Sequence, residues 1–166
     1  VRVPRVEETF PQGLTPPEVV CCISREKADA AAALCTPEEI VITADTMVFL
    51  DDQRLGKPSD EADALRMLTT LQGRRHTVCT GVTVQQGDRR LTEAESTLVY
   101  FRPASQAELL AYIRTGEPMD KAGAYGVQGR GALLVERLDG DFFNVMGLPL
   151  LRLSRMLERF GVLLLN

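Results

Sequence analysis

A chain of 166 residues, 45 % of them hydrophobic, is long enough to bury roughly 68–70 % of the surface its unfolded form exposes, and residues 1–166 are expected to form a single domain. With a formal charge of −4 and a pI of about 5.1, nothing suggests electrostatic binding to a nucleic-acid polymer or an anionic membrane, and neither is expected as a partner. One histidine, His76, excludes a multi-histidine metal site, and four cysteines without C-x-x-C spacing argue for buried thiols in a reducing compartment.

No apolar run has the length of a membrane span and no signal-peptide pattern opens the chain, so a cytoplasmic protein is expected. The chain starts at Val1 rather than at methionine, which reads as a processed, trimmed or incomplete chain. Val1, Val3 and Val6 suit one face of a short edge strand, where Pro4 is tolerated. Thr15-Pro16-Pro17-Glu18 combines an N-cap, a first-turn proline and a capping-box glutamate. The helix it opens is expected to reach about Cys35, with Val19, Ile23, Ala30 and Leu34 inward.

Ile42 to Leu50 reads as a buried strand, yet Asp45 sits in its middle, where an unpaired charge would cost several kcal/mol. Taken alone, Asp45 is more readily a structural carboxylate than a catalytic one. A short loop to Gly56-Lys57-Pro58 follows, then a helix from Pro58-Ser59 through Leu65, Leu68 and Leu71 to a stop at Gly73. A strand from about Thr77 to Val84 turns at Gln86-Gly87-Asp88 and returns to Phe101. Ser105 to Glu108 forms a second capping box, opening a helix that stops at Gly116.

Glu117 to Gly131 has no hydrophobic period and contains four glycines, one aromatic, two basic groups and an amide. Loops of that length in compact domains are functional or disordered, and this mixture argues for function. A strand over Ala132 to Glu136, a turn at Asp139-Gly140, a short strand through Phe142 and Val145, and a last helix carrying Leu150, Leu153 and Leu157 inward complete the chain. The alternation of elements predicts an α/β (α+β) fold, a mixed twisted sheet flanked by helices.

Several runs together closely resemble the Maf family of nucleoside triphosphate pyrophosphatases. They are Ala44-Asp45-Thr46, Gly56-Lys57-Pro58, Thr80-Gly81-Val82, Gly116 through Gly129, and Asn144-Val145-Met146-Gly147-Leu148-Pro149-Leu150. The resemblance implies hydrolysis of a nucleoside triphosphate to the monophosphate and pyrophosphate with a divalent cation, Mg²⁺ or Mn²⁺. Asp45-Thr46 and Tyr125 to Gly129 look like the branch that prefers dTTP and UTP, with activity on modified nucleotides also attributed to the family.

Carried over by that resemblance, Asp45 is a general base or metal ligand, and Glu8 an acidic residue implicated with the metal. Lys27 and Lys57 would contact phosphates, and Thr46 and Gln128 would select the base. Lysines and a metal suit the charge that moves onto a leaving pyrophosphate, and one or two carboxylates suffice for such an ion. Gln128 offers donor and acceptor together, which suits the edge of uracil or thymine. Lys121 is a phosphate contact or, as its neighbour Asp120 suggests, a loop-holding residue. His76 reads as packed and hydrogen-bonded.

The family's opening Ser-x-Ser-Pro-Arg-Arg segment, a phosphate site at a helix start, has no counterpart in these residues. Either the residues given are an incomplete view of an intact enzyme, or the protein lacks that anchor. The alternative functions are therefore a non-catalytic nucleotide-binding or division-regulating protein, or a house-cleaning enzyme for inosine-type triphosphates. Homodimers and a role in septum formation are also implied by the resemblance.

Overall fold

The computed structural model describes Pro11 and residues 13–165. Glu8 and the expected strand around Val3 lie outside the described residues. Helix α1 (Pro16–Ala32) carries the expected capping box, the Glu18 carboxylate accepting from the Thr15 main-chain N at 2.8 Å. Strand β1 (Val41–Leu50) follows, then β2 (Gln53–Leu55), α2 (Glu61–Leu71), β3 (Arg75–Gln86), β4 (Arg89–Phe101) and α3 (Gln106–Ile113). Strand β5 (Val135–Asp139), α4 (Phe142–Val145) and α5 (Leu150–Glu158) close the fold.

The strands form a five-stranded sheet in the order β2-β1-β3-β4-β5. The sheet flanked by helices is as expected from the sequence. Where a mixed sheet was anticipated, every pairing among the described residues is antiparallel. The long β3–β4 hairpin and the short β1–β2 hairpin account for part of this, because tight turns join antiparallel neighbours. Strand β2 escaped sequence reading: its turn is Asp51-Asp52, with Asp51 at φ +51°, in place of the usual glycine.

Strand alternation sorts the core. Odd residues of β1 and β3 face α1, so Phe49 and Cys79 pack with Val19, Val20 and Ile23. Even residues face the other way, where Val48, Leu50 and Val78 meet α2 and α3, and Val82 and Val84 meet α5. Helix α1 approaches β3 closely at Gly81, where an added Cβ would stand 2.3 Å from the Val20 carbonyl oxygen.

Some expectations fail at element ends. The strand read through Phe142 and Val145 is α4, because Asp141 caps it, accepting from the Phe143 main-chain N at 2.7 Å. Leu34, expected inward, lies beyond the end of α1 and is 57 % exposed, and Leu150, at the first position of α5, is 46 % exposed. Helix α2 starts at Glu61 with Asp60 as N-cap, two residues later than Pro58-Ser59 suggested. The strand placed at Ala132 begins only at Val135, since residues 129–134 form a 3₁₀ turn.

His76 on β3 is buried at 2 % exposure, its Nε2 is 2.8 Å from the Tyr125 hydroxyl, and its ring meets Phe101 and Tyr125 edge-on. Burial lowers its pKa from 6.5 to about 4. The folded state therefore refuses a proton that the unfolded chain accepts. Stability is full above pH 6.5 and falls as pH drops toward 4, by up to about 3 kcal/mol over that window. Urea denaturation at pH 7 and pH 4.5 checks this, and His76→Gln should flatten the slope relative to wild type.

Candidate active site

A cleft of about 290 Å³ opens on the face of the sheet away from α1. Its floor is Thr46 and Val48 of β1 and Val78 of β3; one wall is the 120–128 loop and the other is residues 145–147. Lys57, just beyond β2, also lines it. Thr46, Lys57, Lys121 and Gln128 thus converge, although they come from three separate segments of sequence.

The loop is no loose connection. Residues 117–120, 122–124 and 129–134 form short 3₁₀ turns, and a carboxylate ties them together. Glu117 Oε2 accepts from the Arg130 main-chain N at 3.0 Å, and Oε1 accepts from the Gly131 main-chain N at 3.0 Å and the Tyr112 hydroxyl at 2.9 Å. The Tyr112 hydroxyl in turn accepts from the Gly126 main-chain N at 3.1 Å. Burial, the largest single influence on Glu117, pushes its pKa up, but these donors and Lys121 outweigh it and leave the carboxyl below its ordinary value.

Tyr112 and the loop are packed so tightly that a Cβ on Gly131 would lie 2.2 Å from the Gly126 carbonyl oxygen. Glu117→Ala leaves two main-chain donors and a phenol without their acceptor. We expect a loss of about 2–3 kcal/mol, read by urea denaturation, together with a raised KM as Gln128 loses its support.

Lys121 Nζ donates to the Glu117 carbonyl at 3.0 Å and to Asp120 Oδ1 at 2.6 Å. The Lys121 hydrogen bond and charge, with a smaller contribution from Lys57, hold the Asp120 carboxyl below its ordinary range. Lys57 has no ion pair among the described residues and is exposed at the cleft. Gln128 is exposed, its Nε2 lying 3.2 Å from the Met146 sulfur.

Asp45 is adjacent to Thr46 in sequence, but the pleat turns it to the α1 face. There it is 7 % exposed and accepts from Lys27 Nζ at 2.5 Å. Ser24 on the same helix bonds Thr83 Oγ1 at 2.8 Å and accepts the Thr43 hydroxyl on its carbonyl at 2.7 Å, locking α1 over this part of the sheet. The structure therefore groups Thr46, Lys57, Lys121 and Gln128 in one cleft and places the Asp45–Lys27 pair on the reverse of the same strand.

Sequence reading assigned no role to Glu117, Tyr112 or Thr80. Two of the three partners of Glu117 are main-chain N–H groups, which leave no trace in side-chain pattern, and Thr80, although it lies in the Thr80-Gly81-Val82 run, carries no charge to single it out. The expectation of buried thiols holds for Cys79, whereas Cys21, Cys22 and Cys35 are half-buried.

The fold is thus an antiparallel α/β domain with a cleft floored by the Thr46 hydroxyl, lined by Lys57, Asp120 and Lys121, and walled by a glycine-rich loop. The family model described as "Maf-like protein" matches residues 1–160, and the chain belongs to that family. A dTTP/UTP pyrophosphatase of Bacillus velezensis is 48 % identical over 158 residues, covering 95 % of this chain and 83 % of the relative. One from Symbiobacterium thermophilum is 47 % identical over 161 residues, covering 97 % and 82 %. One from Methanosarcina barkeri is 46 % identical over 158 residues, covering 94 % and 80 %. Among the described residues no helix is long and apolar enough to cross a membrane.

Proposed function

We propose that this protein hydrolyses dTTP and UTP, with related modified nucleotides, to the monophosphate and pyrophosphate. The observation that carries this reading is the convergence of Thr46, Lys57, Lys121 and Gln128 on one cleft, in a chain whose relatives are named for that reaction. Water attacks the α-phosphorus, the bond to the bridging oxygen breaks, and pyrophosphate leaves with the negative charge. Lys57 neutralises that charge, and Thr46 with Gln128 holds the base. Lys121, engaged with Asp120 and Glu117, shapes the loop and adds positive potential at the cleft.

In this reading Asp45 serves as general base or metal ligand and its partner Lys27 as a phosphate contact, the triphosphate passing from the cleft round the outer edge of β1, which β2 covers only at Val48 to Leu50. Among the described residues no three His, Cys, Asp or Glu side chains converge, so the chain offers a hard oxygen donor in Asp45, with Glu8 as the second candidate. That suits Mg²⁺ or Mn²⁺, which is held by one or two carboxylates together with phosphate oxygens and water. When bound, such an ion supplies charge neutralisation at the phosphates. Homodimers in the cytoplasm and a link to septum formation complete the proposal, the first being read by sedimentation.

The pairing of Asp45 with Lys27 on the face away from the cleft favours a second reading, nucleotide binding without turnover. Incubation with Mg²⁺ or Mn²⁺ and a panel of triphosphates separates the two. Pyrophosphate release with a preference for dTTP and UTP supports hydrolysis. Orthophosphate release, a preference for ITP, or UTP binding without turnover and unchanged in Asp45→Asn would overturn it.

A further inference from the structure

Thr46 reaches the cleft at the end of a hydrogen-bonded chain whose direction is set at its buried end. Thr80 lies opposite Thr46 in the β1–β3 ladder and is 0 % exposed. Its Oγ1 is 2.8 Å from Thr46 Oγ1 and 3.1 Å from the main-chain oxygen of Asn144. A carbonyl oxygen only accepts, so the single hydroxyl proton of Thr80 goes to Asn144 and its lone pairs receive the proton of Thr46.

The opposite direction runs from Thr80 to Thr46 and on to the Gly147 carbonyl. Within the described residues its last proton meets the Gly147 carbonyl at 3.5 Å, beyond good hydroxyl geometry, and in every case this direction leaves the buried Thr80 to Asn144 bond unmade. Asn144 itself is fully buried, its Nδ2 donating to the Val78 carbonyl at 3.0 Å and to Thr97 Oγ1 at 2.9 Å. Its peptide is therefore fixed, and the chain of hydroxyls has one favoured sense.

We infer that Thr46 offers the cleft lone pairs rather than a proton, and that Thr80 and Asn144 are positioning residues that impose this polarity on base recognition. A ring edge carrying an N–H, such as N3–H of uracil or thymine, is then accepted, whereas an edge carrying a lone pair, such as N3 of cytosine, is refused. Gln128 does not make this distinction alone, since its amide holds both a donor and an acceptor and turns to suit either edge. The inference rests on the nucleotide site proposed above and specifies how that site reads its base.

The test is kcat/KM for UTP and CTP, measured by pyrophosphate release on wild type, Thr80→Ser and Thr80→Val, with a thermal melt of each. Wild type and Thr80→Ser should prefer UTP. Thr80→Val, in which the Thr46 hydroxyl regains its freedom to donate, should lose about tenfold of that preference, chiefly through KM. As a measurement independent of folding, wild type is given N3-methyl-UTP and 5-methyl-UTP, which are equally enlarged but differ in the N3 donor. Only the N3-methyl compound should lose about tenfold or more.

An unchanged UTP/CTP ratio in folded Thr80→Val, an equal loss in Thr80→Ser, or equal use of the two methylated substrates overturns the inference. Pyrophosphate release without any base preference overturns it while leaving hydrolysis standing. No release from any triphosphate overturns the hydrolytic reading and this inference with it.

Discussion

Asp45→Asn is expected to lower kcat for pyrophosphate release by about 10²–10⁴-fold, the usual contribution of a positioned general base. The substitution keeps the shape of the side chain and an acceptor oxygen for Lys27 Nζ, which now stands 2.5 Å from Oδ1. It removes the negative charge that balances that ammonium. Because Asp45 is 7 % exposed, breaking the pair also destabilises the fold, and losing one partner of a buried pair costs about 3–5 kcal/mol in the severe case. Lys27 is 26 % exposed, which moderates the cost.

Activity and melting temperature must therefore be read together. A large fall in kcat at a temperature where the variant is still folded supports a chemical role. Full turnover with a lowered melting temperature would make Asp45 a structural carboxylate, as its placement in the strand first suggests.

Gly81→Ala is expected to cost about 4 kcal/mol or more, at the exceptional end of single substitutions. The new Cβ would meet the Val20 carbonyl oxygen at 2.3 Å, the Val20 carbonyl carbon at 2.4 Å and the Cys21 nitrogen at 2.7 Å. All three are main-chain atoms inside α1, so no side chain can turn aside to make room. Relief requires α1 to lift from β3, which would open Val20 and Ile23, both at 0 % exposure, and draw Lys27 from Asp45, the partner of Gly81 in the ladder. Urea denaturation monitored by far-UV circular dichroism reads the loss, and an unchanged midpoint would show that the helix seats elsewhere.

The elements with local signatures were legible before any coordinates. The capping boxes at Thr15 and Ser105 act within one turn, and the Gly87 turn acts between adjacent strands, so each announces itself in a few residues. Residues 142–145 misled because Phe142, Phe143 and Val145 favour strands, while the cap at Asp141 and its mutual bonds with Thr97, both at 3.0 Å, decide for a helix. Those bonds span 44 positions of sequence and leave no local trace.

The site divides in the same way. Thr46, Lys57, Lys121 and Gln128 stood out as motif residues, and the structure gathers them. That Asp45 and Thr46 face apart also follows from strand period, yet it became visible only once α1 was seen to cover one face and the cleft to open on the other. Glu117 stayed hidden because two of its three partners are main-chain N–H groups, at Arg130 and Gly131. Residue type alone cannot reveal such a role.

Between Asp45 and Thr46 the pleat carries a consequence for folding fidelity. If β1 slipped by one place against β3, Thr46 would be offered to Lys27 and a carboxylate would be pushed into the cleft against the hydroxyl of Thr80. Such a chain would keep much of its sheet and its mass while presenting a nucleotide with the wrong charge at the floor of the site. The unbroken ladder from Val41↔Gln85 to Phe49↔Thr77 therefore fixes which charge faces the nucleotide, a feature that a measure of secondary structure alone would not report.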